Sequence, residues 1–243
     1  MARKTSGGIG ETIRTVVYAV LIAILIRTFA YEPFNIPSGS MIPTLLIGDY
    51  LFVSKFSYGY SRYSLPFSPP LFTGRLFGDG LERGDIAVFK LPSDGKTDYI
   101  KRIVGLPGDR IQVIDGVLHI NGVAVQRRQI EDYVDEHGIA FTQYIETLPN
   151  GVEHRVIEAQ GDEGGLDNTD VYVVPADHYF AMGDNRDNSR DSRVQDGVGF
   201  VPAENLIGRA EFLFFSTDGS AGWLEPWKWF GAIRYGRFFN AVN

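Results

Sequence analysis

From Val16 to Ile26 the chain reads VVYAVLIAILI, without one charged side chain. That run alone lies between the length of a signal-peptide core and that of a bilayer span. Carried from Thr15 across Arg27 to Tyr31, it gives about 25 Å of helix. That length crosses a bilayer if the Arg27 side chain snorkels to the far interface. Arg3, Lys4 and Arg14 precede the run, and basic flanks stay on the cytoplasmic side. The pattern predicts a cytoplasmic N-terminus over residues 1–14, a single-pass transmembrane anchor over 15–31, and everything after about Glu32 on the outer face. A cleaved signal peptide is the rival, but Thr28-Phe29-Ala30 is a poor small-x-small cleavage site.

Beyond the anchor the helical period disappears. Short β-branched and aromatic runs alternate with Gly, Asp and Asn, the pattern of a mostly β protein. Strands are predicted at Tyr50–Ser54, Ile86–Phe89, Tyr99–Val104, Arg110–Ile114, Val117–Ile120, Val123–Val125, Tyr144–Leu148, Val152–Ile157, Val171–Val174, Tyr179–Met182 and Ala210–Phe215. Asp115-Gly116 and Asn121-Gly122 are two-residue hairpin signals. Pro149-Asn150-Gly151 reads as a turn, and Pro202–Leu206 as one helical turn. Ser57–Gly84, dense in aromatics, Pro and Gly, is an irregular surface loop or one lying against lipid headgroups. Gln126–Gly165, polar and acidic around a hairpin, looks like an insertion. The tail from Gly222 to Asn243 carries Trp223, Trp227 and Trp229 with Lys228, Arg234 and Arg237. It packs on the sheet or sits at an interface.

Composition narrows the chemistry. Apolar residues make up 44% and the net charge is −7, so a core is supported and nucleic acid is a poor partner. The chain has no cysteine, which removes disulfides, a thiol nucleophile and cysteine metal sites. The histidines His119, His137, His154 and His178 sit in no motif, and the H-E-x-x-H zinc pattern is absent. There is no G-x-S-x-G elbow, and no lysine three residues after Ser38 or Ser40.

Three clusters carry chemistry. In Pro37-Ser38-Gly39-Ser40-Met41-Ile42-Pro43 two prolines bracket two serines and exclude a helix through the segment. Such a turn exposes a hydroxyl beside a backbone N–H; the same residues also suit a plain linker. In Tyr99–Asp109, strand alternation puts Lys101 on one face with Tyr99 and Ile103. Desolvation there lowers a lysine's pKa toward that of a neutral base; an edge-strand lysine is the alternative. Met182–Arg193 alternates acids and arginines in a Gly/Asn/Ser-rich loop, as a salt-bridged turn does. An EF-hand reading from Asp187 fails, because Ser192 stands where glycine is required and Val198 where the bidentate Glu belongs. No metal and no cofactor are expected.

Taken in order, these segments resemble bacterial type I signal peptidases. The matching pieces are Ser38-Gly39-Ser40-Met41-x-Pro43-Thr44-Leu45, Gly48–Lys55, Lys101-Arg102-x-x-Gly105-x-Pro107-Gly108-Asp109, and Gly183-Asp184-Asn185-Arg186-x-x-Ser189-x-Asp191-Ser192-Arg193. The resemblance covers Phe34–Lys55, Gly84–Val125 and Tyr172–Phe215. It implies a barrel-like antiparallel catalytic domain with a second β subdomain inserted in it, here over 32–125 and 172–221 with the insertion over 126–171; the 57–84 loop, most of 126–165 and the tail over 222–243 lie outside the resemblance. It implies that Ser40 is the nucleophile and Lys101 the general base, and that Ser38 joins the Ser40 amide in an oxyanion hole. By the same resemblance Ser189 hydrogen-bonds and orients the lysine, Asp191 and Arg193 support it, and Tyr99 and Met41 lie nearby. The implied substrates are signal peptides of preproteins, cut after small residues at a bacterial cytoplasmic membrane, with the bilayer as the other partner. The rivals are another Ser/Lys protease, such as a self-cleaving repressor relative, and a non-catalytic single-pass scaffold.

Overall fold

The computed structural model describes residues 9–78, 80–222 and 224–242; Arg3, Lys4 and Trp223 lie outside the described residues. Helix α1 spans Ile9–Phe29, beginning before Thr15 and ending before Tyr31. Hydropathy marks the apolar stretch, whereas the helix also takes in its polar first turn, where Glu11 suits the N-terminal dipole. An 18-residue window of α1 has a mean hydropathy of 2.0 and none of it is buried by the rest of the chain. It is long and apolar enough to cross a membrane.

The strands follow in chain order. They are β1 (Tyr31–Asn35), β2 (Asp49–Ser54), β3 (Ile86–Lys90), β4 (Asp98–Gly105), β5 (Arg110–Ile114), β6 (Val117–Ile120), β7 (Val123–Ala124) and β8 (Gln126–Gln129). Then come β9 (Tyr133–Val134), β10 (Ala140–Thr147), β11 (Glu153–Glu158), β12 (Tyr172–Val173), β13 (His178–Met182), β14 (Val201–Pro202) and β15 (Leu206–Ser216). Every strand pair is antiparallel. A curled seven-stranded sheet runs β1-β2-β15-β3-β4-β13-β14; two smaller sheets run β11-β10-β8, with β9 also on β10, and β12-β5-β6-β7.

β1, β8, β9 and β14 escape the sequence pattern, and all four are edges with one partner strand. Edges tolerate Pro33, Pro202 and the polar run Gln126–Gln129, because one side of the ladder needs no donor. The predicted hairpins form with both central residues at positive φ: 46° and 71° at Asp115-Gly116, 56° and 81° at Asn121-Gly122. Those angles belong to type I′ turns, which match the twist of the flanking strands. Pro202–Leu206 contributes a single 3-10 turn, Ala203–Asn205, and a short helix α2 (Pro226–Ala232) forms in the tail.

The core of the large sheet gathers Met41, Leu45, Leu51, Val53, Ile86, Val88 and Leu213. Each fully buried side chain of this size contributes about 1.5–3 kcal/mol. Met41 is therefore an anchor for its turn, and the residue before it is held where the core edge meets solvent.

The join between α1 and the sheet is short and bonded. Lys55 N–H donates to the Ala30 carbonyl (2.9 Å) and the Tyr60 hydroxyl to that of Phe29 (2.7 Å). The Glu32 carboxylate takes Arg27 at 2.7 Å and the buried Lys55 ammonium at 2.8 Å.

Candidate active site

Ser40 sits in a 3-10 turn, Gly39–Met41, entered through extended Ser38 and left through extended Ile42. The extended conformation of Ile42 is what a following proline imposes; the bracketing prolines stop a helix but admit this one turn. Two strands of evidence fix the turn in space. Met41 is wholly buried, and the loop after β13 reaches over the turn. The Asn185 N–H donates to the Ser40 carbonyl (3.2 Å), Asn185 Nδ2 to the Gly39 carbonyl (3.0 Å), and Thr44 Oγ1 to Asp184 Oδ2 (2.6 Å). Gly183 makes this approach possible, since a Cβ there would collide with the Ser40 carbonyl and the Ser189 hydroxyl.

Lys101 projects from β4 beneath the turn, 3% exposed. Its Nζ lies 2.7 Å from Ser40 Oγ and donates to the Ile100 carbonyl at 2.9 Å. The Tyr99 ring centroid is 5.3 Å from Nζ. Burial pulls the lysine down from 10.5 to about 8, against the opposing pull of Asp191 and Asp184. A serine hydroxyl in contact with a desolvated lysine is an arrangement that can serve as nucleophile and base.

Alternation along β4 sends Arg102 the other way, fully buried. Its Nε and Nη2 hold Asp184 at 2.9 and 2.8 Å, and Nη1 donates to the Gly84 carbonyl at 2.8 Å. Burial alone raises the Asp184 pKa; Arg102 overrides it and holds the carboxyl below its ordinary value. Asp191, equally buried, accepts from Gly183 N–H (3.0 Å) and takes both Arg193 Nε and Nη2 at 2.9 Å. Asp191 and Arg193 thus brace the loop rather than touch the serine.

Ser189 differs from the expectation. It is buried with the Asp191 carboxylate as its neighbour, and Lys101 Nζ makes its hydrogen bonds to Ser40 and Ile100 rather than to Ser189. Ser38 is exposed at the mouth of the site. A groove of about 400 Å³ opens there, lined by Phe34, Ile36, Val88, Tyr99, Ser38 and Lys101 among others. Apolar side chains such as Phe34, Ile36, Val88 and Ile100 line it together with polar ones, Asn35, Thr97, Asp98, Asn188 and Arg190, and Ser38, Ser40 and Lys101 converge within it.

Sequence reasoning missed Glu146. It lies on β10, fully buried, where it receives Arg186 Nη1 at 2.8 Å and also Nη2, with His154 Nε2 at 3.4 Å. The acidic composition of the surrounding stretch hid a core residue inside an apparent insertion.

The family model described as signal peptidase, peptidase S26, matches residues 9–215. A signal peptidase I of Rickettsia conorii is 45% identical over 239 residues, covering 92% of this chain and 89% of its own. A signal peptidase I of Rickettsia typhi is 43% identical, over 98% of this chain and 95% of its own. The crystal structure of a signal peptidase I from Enterococcus faecalis aligns with 27% identity over 54% of this chain and 97% of that chain, with a TM-score of 0.34.

Proposed function

The chain belongs to the signal peptidase, peptidase S26, family, and on that premise we propose that it removes signal peptides from exported preproteins through a Ser40–Lys101 dyad while anchored in the bacterial cytoplasmic membrane by α1. The observation that carries the reading is the 2.7 Å approach of a buried Lys101 Nζ to Ser40 Oγ. Neutral Lys101 accepts the Ser40 proton as Oγ attacks the scissile carbonyl. The ammonium so formed returns the proton to the leaving amine. Water, deprotonated by the same lysine, then opens the acyl-enzyme. The Ser38 hydroxyl and the Ser40 amide receive the developing oxyanion; one such donor is worth about 3–4 kcal/mol.

The groove beside Ser40 suits an extended peptide with small side chains at −1 and −3. A precursor carrying an A-x-A site is expected to be cut by the purified full chain, and Ala→Trp at −1 is expected to abolish the cut. Equal cleavage of both precursors overturns the specificity.

The pH dependence follows from the base. Activity is expected to rise with pH through about 8 and then level off, because only neutral Lys101 takes a proton. A limb near 10.5 counts against a desolvated base. The sign for stability is the same. The unfolded chain binds more protons between about 8 and 10.5, so folding stability rises with pH across that window. Lys101→Met, which carries no proton, is expected to lose the slope in both urea and thermal melts.

A further inference from the structure

We propose that Glu158, Asp167 and Asp187 form a binding site for a hard divalent cation, calcium above all. The sequence predicts no metal, and the EF-hand reading from Asp187 fails; this ligand set is assembled by the fold from three separate segments. Glu158 ends β11, Asp167 lies in the connection to β12, and Asp187 belongs to the loop after β13. One carboxylate oxygen from each lies within 4.8 Å of the other two. Calcium–oxygen distances of about 2.3–2.6 Å span such a triangle.

The independent observation is the state of Glu158. The residue is 2% exposed, and neither carboxylate oxygen has a hydrogen-bond partner among the described residues. Buried carboxylates are normally satisfied, because an unsolvated, unpaired charge is costly. The surrounding cations are committed elsewhere. Arg127 Nη1 is 3.8 Å from Glu158 Oε1, beyond hydrogen-bond range, and Arg127 donates to Asp162 (2.9 Å) and to the Gly116 carbonyl. Arg186 is taken by Glu146 and Arg193 by Asp191. Asp187 and Asp167 are held in place from the other side: Asp187 Oδ2 accepts the N–H groups of Ala159 and Gln160 at 2.7 Å, and Asp167 Oδ2 accepts that of Gly164. Each is oriented by one oxygen, which frees the other for a cation.

The bound ion clamps β11 to the loop whose Asn188 and Arg190 line the groove.

The test is calorimetric titration of the full chain in detergent with calcium chloride, with melting curves in calcium and in EDTA. The wild type is expected to bind one calcium and to melt higher in calcium than in EDTA. Glu158→Gln keeps the shape and is expected to weaken binding about tenfold or more. Asp167→Asn serves the same purpose should Glu158→Gln fold poorly, and Asp162→Asn, outside the triangle, is expected to bind as the wild type does. Identical melting in calcium and EDTA, the result if Glu158 simply holds a proton, overturns the site. Unchanged calcium binding in Glu158→Gln and Asp167→Asn overturns it equally.

Discussion

Ser40→Ala is expected to leave a preprotein uncut, with the loss reaching about 10⁴-fold or more, as when a nucleophile is removed from a serine protease. Lys101→Met is expected to fall as far. It keeps the length and apolar character of the side chain, so the 3%-exposed site stays filled while the proton acceptor goes. Lys101→Arg is expected to be inactive for another reason: guanidinium does not lose its proton at working pH. Processing of a purified precursor measures all three, with circular dichroism confirming the fold. An electrophilic peptide analogue should label the wild type at Ser40 and leave Ser40→Ala unmarked. Near-normal cleavage by Ser40→Ala or Lys101→Met removes the dyad, and an unreactive Ser40 favours a non-catalytic scaffold.

Arg186→Ala is expected to cost about 3–5 kcal/mol, the effect of stranding one member of a buried ion pair. Glu146 is wholly buried, and although burial raises its pKa, Arg186 and His154 hold it far below the ordinary carboxylate range. Without Arg186 it must either keep an uncompensated charge or take up a proton. Against a domain stability of about 5–15 kcal/mol, that loss is severe. Replacing both partners, Arg186→Met with Glu146→Leu, is expected to recover much of it, since an apolar pair needs no charge compensation. Urea midpoints of the single and double variants decide the matter; an unshifted midpoint for Arg186→Ala means that the pair carries no net stability. The acid limb follows by linkage. A carboxyl whose folded pKa is depressed stabilises the fold above its unfolded value and loses that contribution as pH falls below it.

The strands that face a core on one side were legible because burial imposes alternation, as from Arg110 to Ile120. The edges were not, because a strand with one partner is under no such pressure and can carry residues such as Pro33 that central strands exclude. Ser40 and Lys101 are named by their motifs, but neither their 2.7 Å contact nor the depth of Lys101 follows from the residues between them. That contact is made by the turn's grip on Met41 and by Asn185 reaching across. Glu146 and Glu158 stayed hidden for a shared physical reason: a buried carboxylate reads, one residue at a time, like a solvated one. The identity of its partner decides its burial, and the partner is far away in the chain.

The bonded join between α1 and β1 bears on where a precursor is cut. Tyr31 follows the helix after a single residue and is already paired with Ser54, and Glu32 ties Arg27 and Lys55 together. If α1 lies in the membrane as proposed, this join leaves little slack between the lipid boundary and β1. The dyad would then act as a depth gauge, severing exported chains at a set height above the bilayer, and a flexible spacer inserted at Ala30 would blur that height while leaving the contact between Ser40 and Lys101 intact.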